Sequence, residues 1–215
     1  MFINTHTHAQ IYDAQVELVN LDPSHSEKTK LYSYGIHPWK IDPSDRDYQI
    51  QRLRQVASEK RCLAIGECGL DKLCQVDMQI QADVFIEHIH LANAIQKPLI
   101  VHCVKAFNEL INCLNLNDNK VPVIIHGFNN NENIARMLQN EGCSFSFGKA
   151  LLAYDSNASR VIRSLGRKQI FLETDDSDIS IKYIYRKAAE LLGIGEDILQ
   201  EQIRLNFETI FHFQP

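Results

Sequence analysis

Acidic and imidazole side chains stand at or just beyond the ends of short apolar runs, from one end of this sequence to the other. His6 and His8 follow Phe2-Ile3, Glu67 follows Leu63-Ala64-Ile65-Gly66, and His102 follows Leu99-Ile100-Val101. His126 follows Val123-Ile124-Ile125, and Asp175 closes Ile170-Phe171-Leu172-Glu173-Thr174. Side chains gathered from the ends of so many strands meet in space only if the strands run parallel and close into a barrel. The carboxyl-terminal rim of a (β/α) barrel is where such a set is assembled. Imidazole and carboxylate together are donors for a hard-to-borderline divalent ion.

The rest of the chain agrees with that architecture. Apolar runs predict strands at Phe2–Thr5, Val16–Asn20, Leu31–Gly35, Cys62–Gly66, Leu99–Val101, Val123–Ile125, Ser144–Phe147 and Ile170–Leu172. Helices are predicted over Ser44–Ser58, Gln75–Ile95, Lys105–Leu114, Asn131–Asn140 and Ser156–Leu165, with Ile181–Leu191 and Glu196–Phe211 after the last strand. Alternating strand and helix is the pattern of a parallel sheet. The fold class expected is α/β, a (β/α)8 TIM-like barrel. Asp42-Pro43-Ser44 offers a cap to the first helix. Val84, Phe85, Ile89, Leu91 and Ala92 mark the apolar stripe of the second. Gly193-Ile194-Gly195 reads as a helix stop followed by a new start. His88 and His90 fall inside the long helix and read as packing or surface residues; His25, in a polar loop, and His212, in the tail, are equally bland. Only about ten residues separate the first strand from the second, and the second from the third, too few for a full crossover helix. The first one or two helices are therefore expected to be shortened or missing. Apolar strand faces left open there would be covered by the C-terminal helices or by a second copy, which makes a homodimer an expectation.

The 215 residues suffice for one domain over 1–215, at the short end for this barrel. No apolar run reaches the length of a membrane span, and the first residues lack a basic, then apolar, leader. The expectation is a cytoplasmic protein. None of the six cysteines forms a C-x-x-C pair, so they read as reduced thiols. Cys68 and Cys103, beside candidate ligands, read as small fillers of the interior. A net charge of -5 argues against a broad basic surface. It does not exclude a nucleic acid substrate, because bound metal ions add positive charge that the sequence count omits.

In an extended strand, residues two apart face the same side, so His6 and His8 can share one ion. A Glu directly after a buried strand is costly unless it is paired or bound to metal, and glycines beside Glu67 allow close backbone approach. The ligand set exceeds the three of a catalytic zinc site, which points to two ions. Glu67 is then the natural bridging carboxylate. His6, His8 and Asp175 would complete one site, and His102 and His126 the other. Water on such ions becomes a nucleophile at neutral pH, and Asp175 is placed to take its proton. Glu173 reads as a supporting carboxylate.

These residues sit in motifs that resemble the TatD-related deoxyribonucleases, a branch of the metal-dependent amidohydrolase superfamily. Asn4-Thr5-His6-Thr7-His8 is similar to that family's opening Asp-Thr-His-x-His, and Gly35-Ile36-His37-Pro38 to its Gly-x-His-Pro. Gly66-Glu67-Cys68-Gly69-Leu70-Asp71 resembles its most specific motif, Gly-Glu-x-Gly-Leu-Asp. Lys97-Pro98-Leu99-Ile100-Val101-His102, His126-Gly127-Phe128, Leu172-Glu173-Thr174-Asp175, and Asn206 with Phe211 continue the match in order. The resemblance implies metal ligands at His6, His8, Glu67, His102, His126 and Asp175, catalytic roles for Asp175 and Glu67, and a substrate contact at His37. It implies hydrolysis of phosphodiesters, with DNA or a small anionic substrate as partner and two divalent ions (Zn, Mg or Mn) as cofactors. The rival activity is hydrolysis of a small ester, amide or lactone, and a non-catalytic metal-binding protein is a third reading. The chain departs from the pattern at Asn4 (usually Asp), Trp39 (commonly His), Val104 (usually Arg), Asn129-Asn130 and Asp176-Ser177.

Overall fold

Strands form where the apolar runs lie, because β-branched and aromatic residues suit a pleated surface buried on both faces. The computed structural model describes residues 1–9, 13–22 and 31–215. Its strands are β1 (Ile3–Thr7), β2 (Val16–Leu21), β3 (Leu31–Tyr34), β4 (Cys62–Asp71), β5 (Leu99–Val104), β6 (Val123–Ile125), β7 (Ser144–Phe147) and β8 (Ile170–Leu172). They lie in sheet order β1 to β8. The pairs β1–β2, β3–β4, β4–β5 and β7–β8 are parallel, and a parallel bridge joins Thr7 to Asp175. Sequential parallel strands with intervening helices are the (β/α)8 barrel class that the sequence implied.

The helices are α1 (Arg46–Ala57), α2 (Met78–Ile95), α3 (Phe107–Leu116), α4 (Glu132–Asn140), α5 (Asn157–Ser164), α6 (Ile181–Leu192) and α7 (Glu196–Phe211). Among the described residues no helix stands between β1 and β2 or between β2 and β3; residues 10–12 and 23–30, His25 included, lie outside them. Contacts divide the chain into two compact units, Met1–Val19 with Ile125–Pro215, and Asn20–Ile124.

In the first unit, α6 and α7 cover β1 and β8. The Tyr185 hydroxyl donates to the carbonyl of Ile3 (3.0 Å) and accepts from its N–H (3.1 Å). Asn206 donates through Nδ2 to the carbonyls of Arg167 and Ile170, both at 2.8 Å. Phe207 stacks on Phe211, which meets Phe171 edge-on. Gly193 ends α6 in the left-handed conformation, as its place in the sequence implied.

In the second unit, α2 buries Val84, Phe85, Ile89 and Ala92, while Leu91 is only half-buried. Two polar residues share the buried face. Gln81 accepts from the N–H of Asp71 (2.8 Å) and donates to its carbonyl (3.1 Å). His88 accepts the N–H of Ile36 through Nε2 (2.9 Å), and its Nδ1 bonds the Val84 carbonyl (2.7 Å). His88 is thus the packing residue expected, and burial pushes its pKa down to about 4. His90 is exposed. Asp42 does not cap α1: it accepts from the Ser44 N–H and hydroxyl in a local turn, and the helix begins at Arg46.

Among the strands that carry acids and histidines, β4 and β5 run further than the apolar pattern suggested, whereas β6 and β8 keep the expected bounds. β4 continues past Glu67 to Asp71, and β5 past His102 to Val104, so both side chains project from within a strand rather than from its end. The glycines of the Gly-Glu-Cys-Gly motif explain why the ladder continues. A Cβ on Gly69 (φ +136°) would lie 2.0 Å from the His102 carbonyl oxygen, and one on Gly66 would lie 2.4 Å from that of Ile100. Only glycine lets β5 approach this closely.

Candidate metal sites

Each unit holds its own cluster of nitrogen and oxygen donors. In the first, His6, His126 and Asp175 each present one ligand atom within 4.8 Å of the others. Asp175 reaches its position because its backbone is pinned to β1: its N–H donates to the His6 carbonyl (3.1 Å), and its own carbonyl accepts from the His8 N–H (3.0 Å). It takes φ +54°, a conformation tolerated by Asp. Its Oδ1 then lies 3.7 Å from His6 Nε2 and 3.4 Å from His8 Nε2. The His6 side chain is buried, whereas His8 is 43% and Asp175 30% exposed, so the cluster opens to solvent on that side.

Behind this cluster lies Glu173, fully buried. Its Oε1 accepts from the Gly127 N–H (2.6 Å) and lies 3.5 Å from His126 Nδ1, while its Oε2 meets no hydrogen-bond partner among the described residues. Such a carboxylate orients an imidazole that binds metal through its other nitrogen. Asn4, where the family pattern has Asp, is matched to its surroundings as an amide. It accepts from the Thr174 N–H (3.0 Å) and donates to the Thr174 hydroxyl (2.8 Å), a double role no carboxylate can fill.

In the second unit, His37, Glu67 and His102 form a comparable group within 4.8 Å. Glu67 Oε1 is 3.1 Å from both His37 Nε2 and His102 Nδ1. The other nitrogen of each ring is also engaged. His37 Nδ1 accepts from the Trp39 N–H (3.1 Å), and His102 Nε2 lies 3.1 Å from Asp71 Oδ2. Burial pushes the Asp71 carboxyl up, but the Leu73 N–H, His102 and the Trp39 indole together outweigh it and hold the carboxyl below its ordinary value. Asn20 holds the backbone of Glu67: its Oδ1 accepts from the Glu67 N–H (2.7 Å) and from the Ser33 hydroxyl (3.2 Å).

The structure therefore brings His6, His126 and Asp175 into one group and His37, Glu67 and His102 into another, with His8 beside Asp175. It groups His126 with His6 and Asp175, where the expectation had paired it with His102. His37 stands among the donors rather than apart from them. Sequence reasoning passed over Asp71 and Asn20. Asn20 carries the same signal as the ligands, a polar side chain ending the run Leu18-Val19, but an amide is neither a carboxylate nor an imidazole. The six cysteines are free thiols, and Cys68 is buried as the filler expected. The donor sets are mixed imidazole and carboxylate, each with an inner imidazole backed by a buried carboxylate, and they fit divalent metal ions. Among the described residues, no helix is long and apolar enough to cross a membrane.

Known proteins are similar to this chain. The family model for the TatD related DNases matches residues 3–212. A metal-dependent hydrolase of Buchnera aphidicola subsp. Baizongia pistaciae is 31% identical over 153 residues, covering 70% of this chain and 57% of that protein. The 3'-5' ssDNA/RNA exonuclease TatD of Cronobacter turicensis is 34% identical over 104 residues, 47% of this chain and 39% of that protein. The chain thus spans little more than half of the first relative's length and less of the second's. The crystal structure of YjjV, a TatD homologue from Escherichia coli K12, superposes with a TM-score of 0.81 over 99% of this chain and 98% of its own, at 20% identity, which speaks for the fold alone. The family match over nearly the whole length, on a barrel whose donors fall on the family's motifs, places this chain in the TatD related DNase family.

Proposed function

We propose that this protein is a two-metal phosphodiesterase that hydrolyses single-stranded DNA. The observation that carries the reading is the pair of three-donor groups, His6–His126–Asp175 and His37–Glu67–His102, each with one histidine held by a buried carboxylate. Three protein donors per ion leave positions open for substrate and water, as a catalytic site requires. A bound divalent ion would lower the pKa of water and draw charge from a phosphoryl oxygen. His8 extends the first group on its solvent side, next to Asp175. Asp175, partly exposed and acceptor-only when ionised, takes the proton of the attacking water. Glu67, locked through its N–H to Asn20, presents one oxygen to two imidazoles, while its second accepts from the Asn20 amide at 3.5 Å, which orients it as the central donor of its group. The substrate class rests on the family and on the activity named for the Cronobacter relative.

The test is turnover by metal-loaded protein on end-labelled single-stranded DNA, set against a panel of carboxylic esters and lactones. The panel is the opposing arm because Val104 leaves β5 without a cation two residues after His102. DNA shortened in Mg, Mn or Zn, with loss of activity in Asp175→Asn at unchanged fold, is the expected result. Turnover of esters or lactones alone would replace this reading with the second.

A further inference from the structure

We propose that Trp39 is a stacking platform for a nucleobase of the substrate, an inference that rests on the phosphodiesterase reading above and names how the substrate is held. Trp39 is the sole tryptophan of the chain, and it is 62% exposed. A side chain of this size is ordinarily highly buried on average. Here it is held at the surface rather than left loose. Its indole N–H donates to Asp71 Oδ2 at 2.7 Å, and its backbone N–H donates to His37 Nδ1 at 3.1 Å within the short 3-10 turn Pro38–Lys40. The ring meets His37 edge-on, with centroids 5.8 Å apart and planes at 82°. One anchor holds the backbone and the other the indole N–H, both through polar contacts, and with 62% of the residue exposed the ring keeps surface open to solvent.

A rigid, solvent-facing indole gains most from a flat aromatic partner, because stacking then costs little side-chain freedom. Every base has such a face, which makes the interaction tolerant of sequence. The neighbouring ring is His37, whose other nitrogen faces Glu67 at 3.1 Å. A base lies one sugar away from its phosphate. A base on Trp39 would thus bring its own phosphodiester to the donors of the second unit. The same side chain also steadies the chemistry, since the carboxylate oxygen that receives the indole N–H is the one that faces His102. Any test must separate these two roles.

The single tryptophan makes its emission a direct reporter. Metal-loaded protein is titrated with a thymidine hexamer carrying phosphorothioate linkages, and with an abasic hexamer of the same backbone. The expected result is quenching of Trp39 emission by the thymidine hexamer and little change with the abasic one. Equal responses to both, or none to thymidine, would overturn the proposal. In kinetics with unmodified thymidine hexamer, Trp39→Ala should raise KM about tenfold, and Trp39→Phe, which keeps a ring but lacks the indole N–H, should recover most of it. If Trp39→Phe is as impaired as Trp39→Ala, the residue acts through Asp71 and the platform is refuted. Quenching without any DNA cleavage would refute the activity and leave the platform standing. Cleavage with an unresponsive tryptophan would do the reverse.

Discussion

His102 stands between two carboxylates, Glu67 Oε1 at 3.1 Å from its Nδ1 and Asp71 Oδ2 at 3.1 Å from its Nε2. Only one of these carboxylates belongs to the donor group; the other, buried and bound on all sides, fixes the ring and its tautomer. Asp71→Asn keeps the side chain's shape and the Leu73 contact but weakens this hold on the imidazole. Metal affinity should fall about 10- to 100-fold with little change in the far-ultraviolet circular dichroism. Calorimetric titration with Zn or Mn checks this, and an unchanged affinity would assign Asp71 to structure alone.

Glu173 plays the matching part for His126, and it also satisfies the Gly127 N–H. Glu173→Ala removes that acceptor and should cost about 1 kcal/mol in urea unfolding. Glu173→Gln still offers an oxygen to Gly127, so stability should largely return while metal affinity stays reduced. Recovery of both would show that the negative charge is not needed.

His88 predicts an acid-sensitive fold. Its pKa is depressed from 6.5 to about 4, so between these values the unfolded chain binds more protons than the native one. The stability tied to its neutral form is whole above pH 6.5 and is lost as pH falls toward 4, by on the order of 3 kcal/mol. Urea midpoints measured across that range should fall more steeply for the wild type than for His88→Leu. Parallel curves would remove His88 from the titration.

Tyr185 closes α6 onto β1 through both backbone groups of Ile3. Tyr185→Phe keeps the ring and strips both bonds, and should lower stability by about 1–3 kcal/mol. Because burial already pushes this phenol above its ordinary range, the loss should be the same at pH 6 and pH 9. A loss that varies across that interval would contradict the burial.

Much of this could be read from the amino-acid order because the strands are short apolar runs bounded by polar residues, and parallel sheets leave that mark strongly. What the order conceals is which polar residue serves another. Gln81 and His88 lie on a helix, where a polar residue ordinarily faces water, yet both are buried because β4 and the turn before His37 present backbone groups that need partners. The extension of β4 to Asp71 was hidden for a related reason. Glycine weakens a strand pattern, and only the closeness of β5 shows that Gly66 and Gly69 continue one. The grouping of His126 with His6 was hidden because chain order does not state which strand ends meet around a barrel.

The backbone seam between Asp175 and the residues around His6 joins positions 168 apart in the chain. During synthesis the His6–Thr7–His8 segment is therefore made early and left without its carboxylate partner until Asp175 has emerged. A nascent or truncated chain ending before β8 lacks one donor and the strap that aligns the other two. An ion that needs all three donors could be held only once β8 has been made and paired, so that completing the ligand geometry and binding the metal would be a single event.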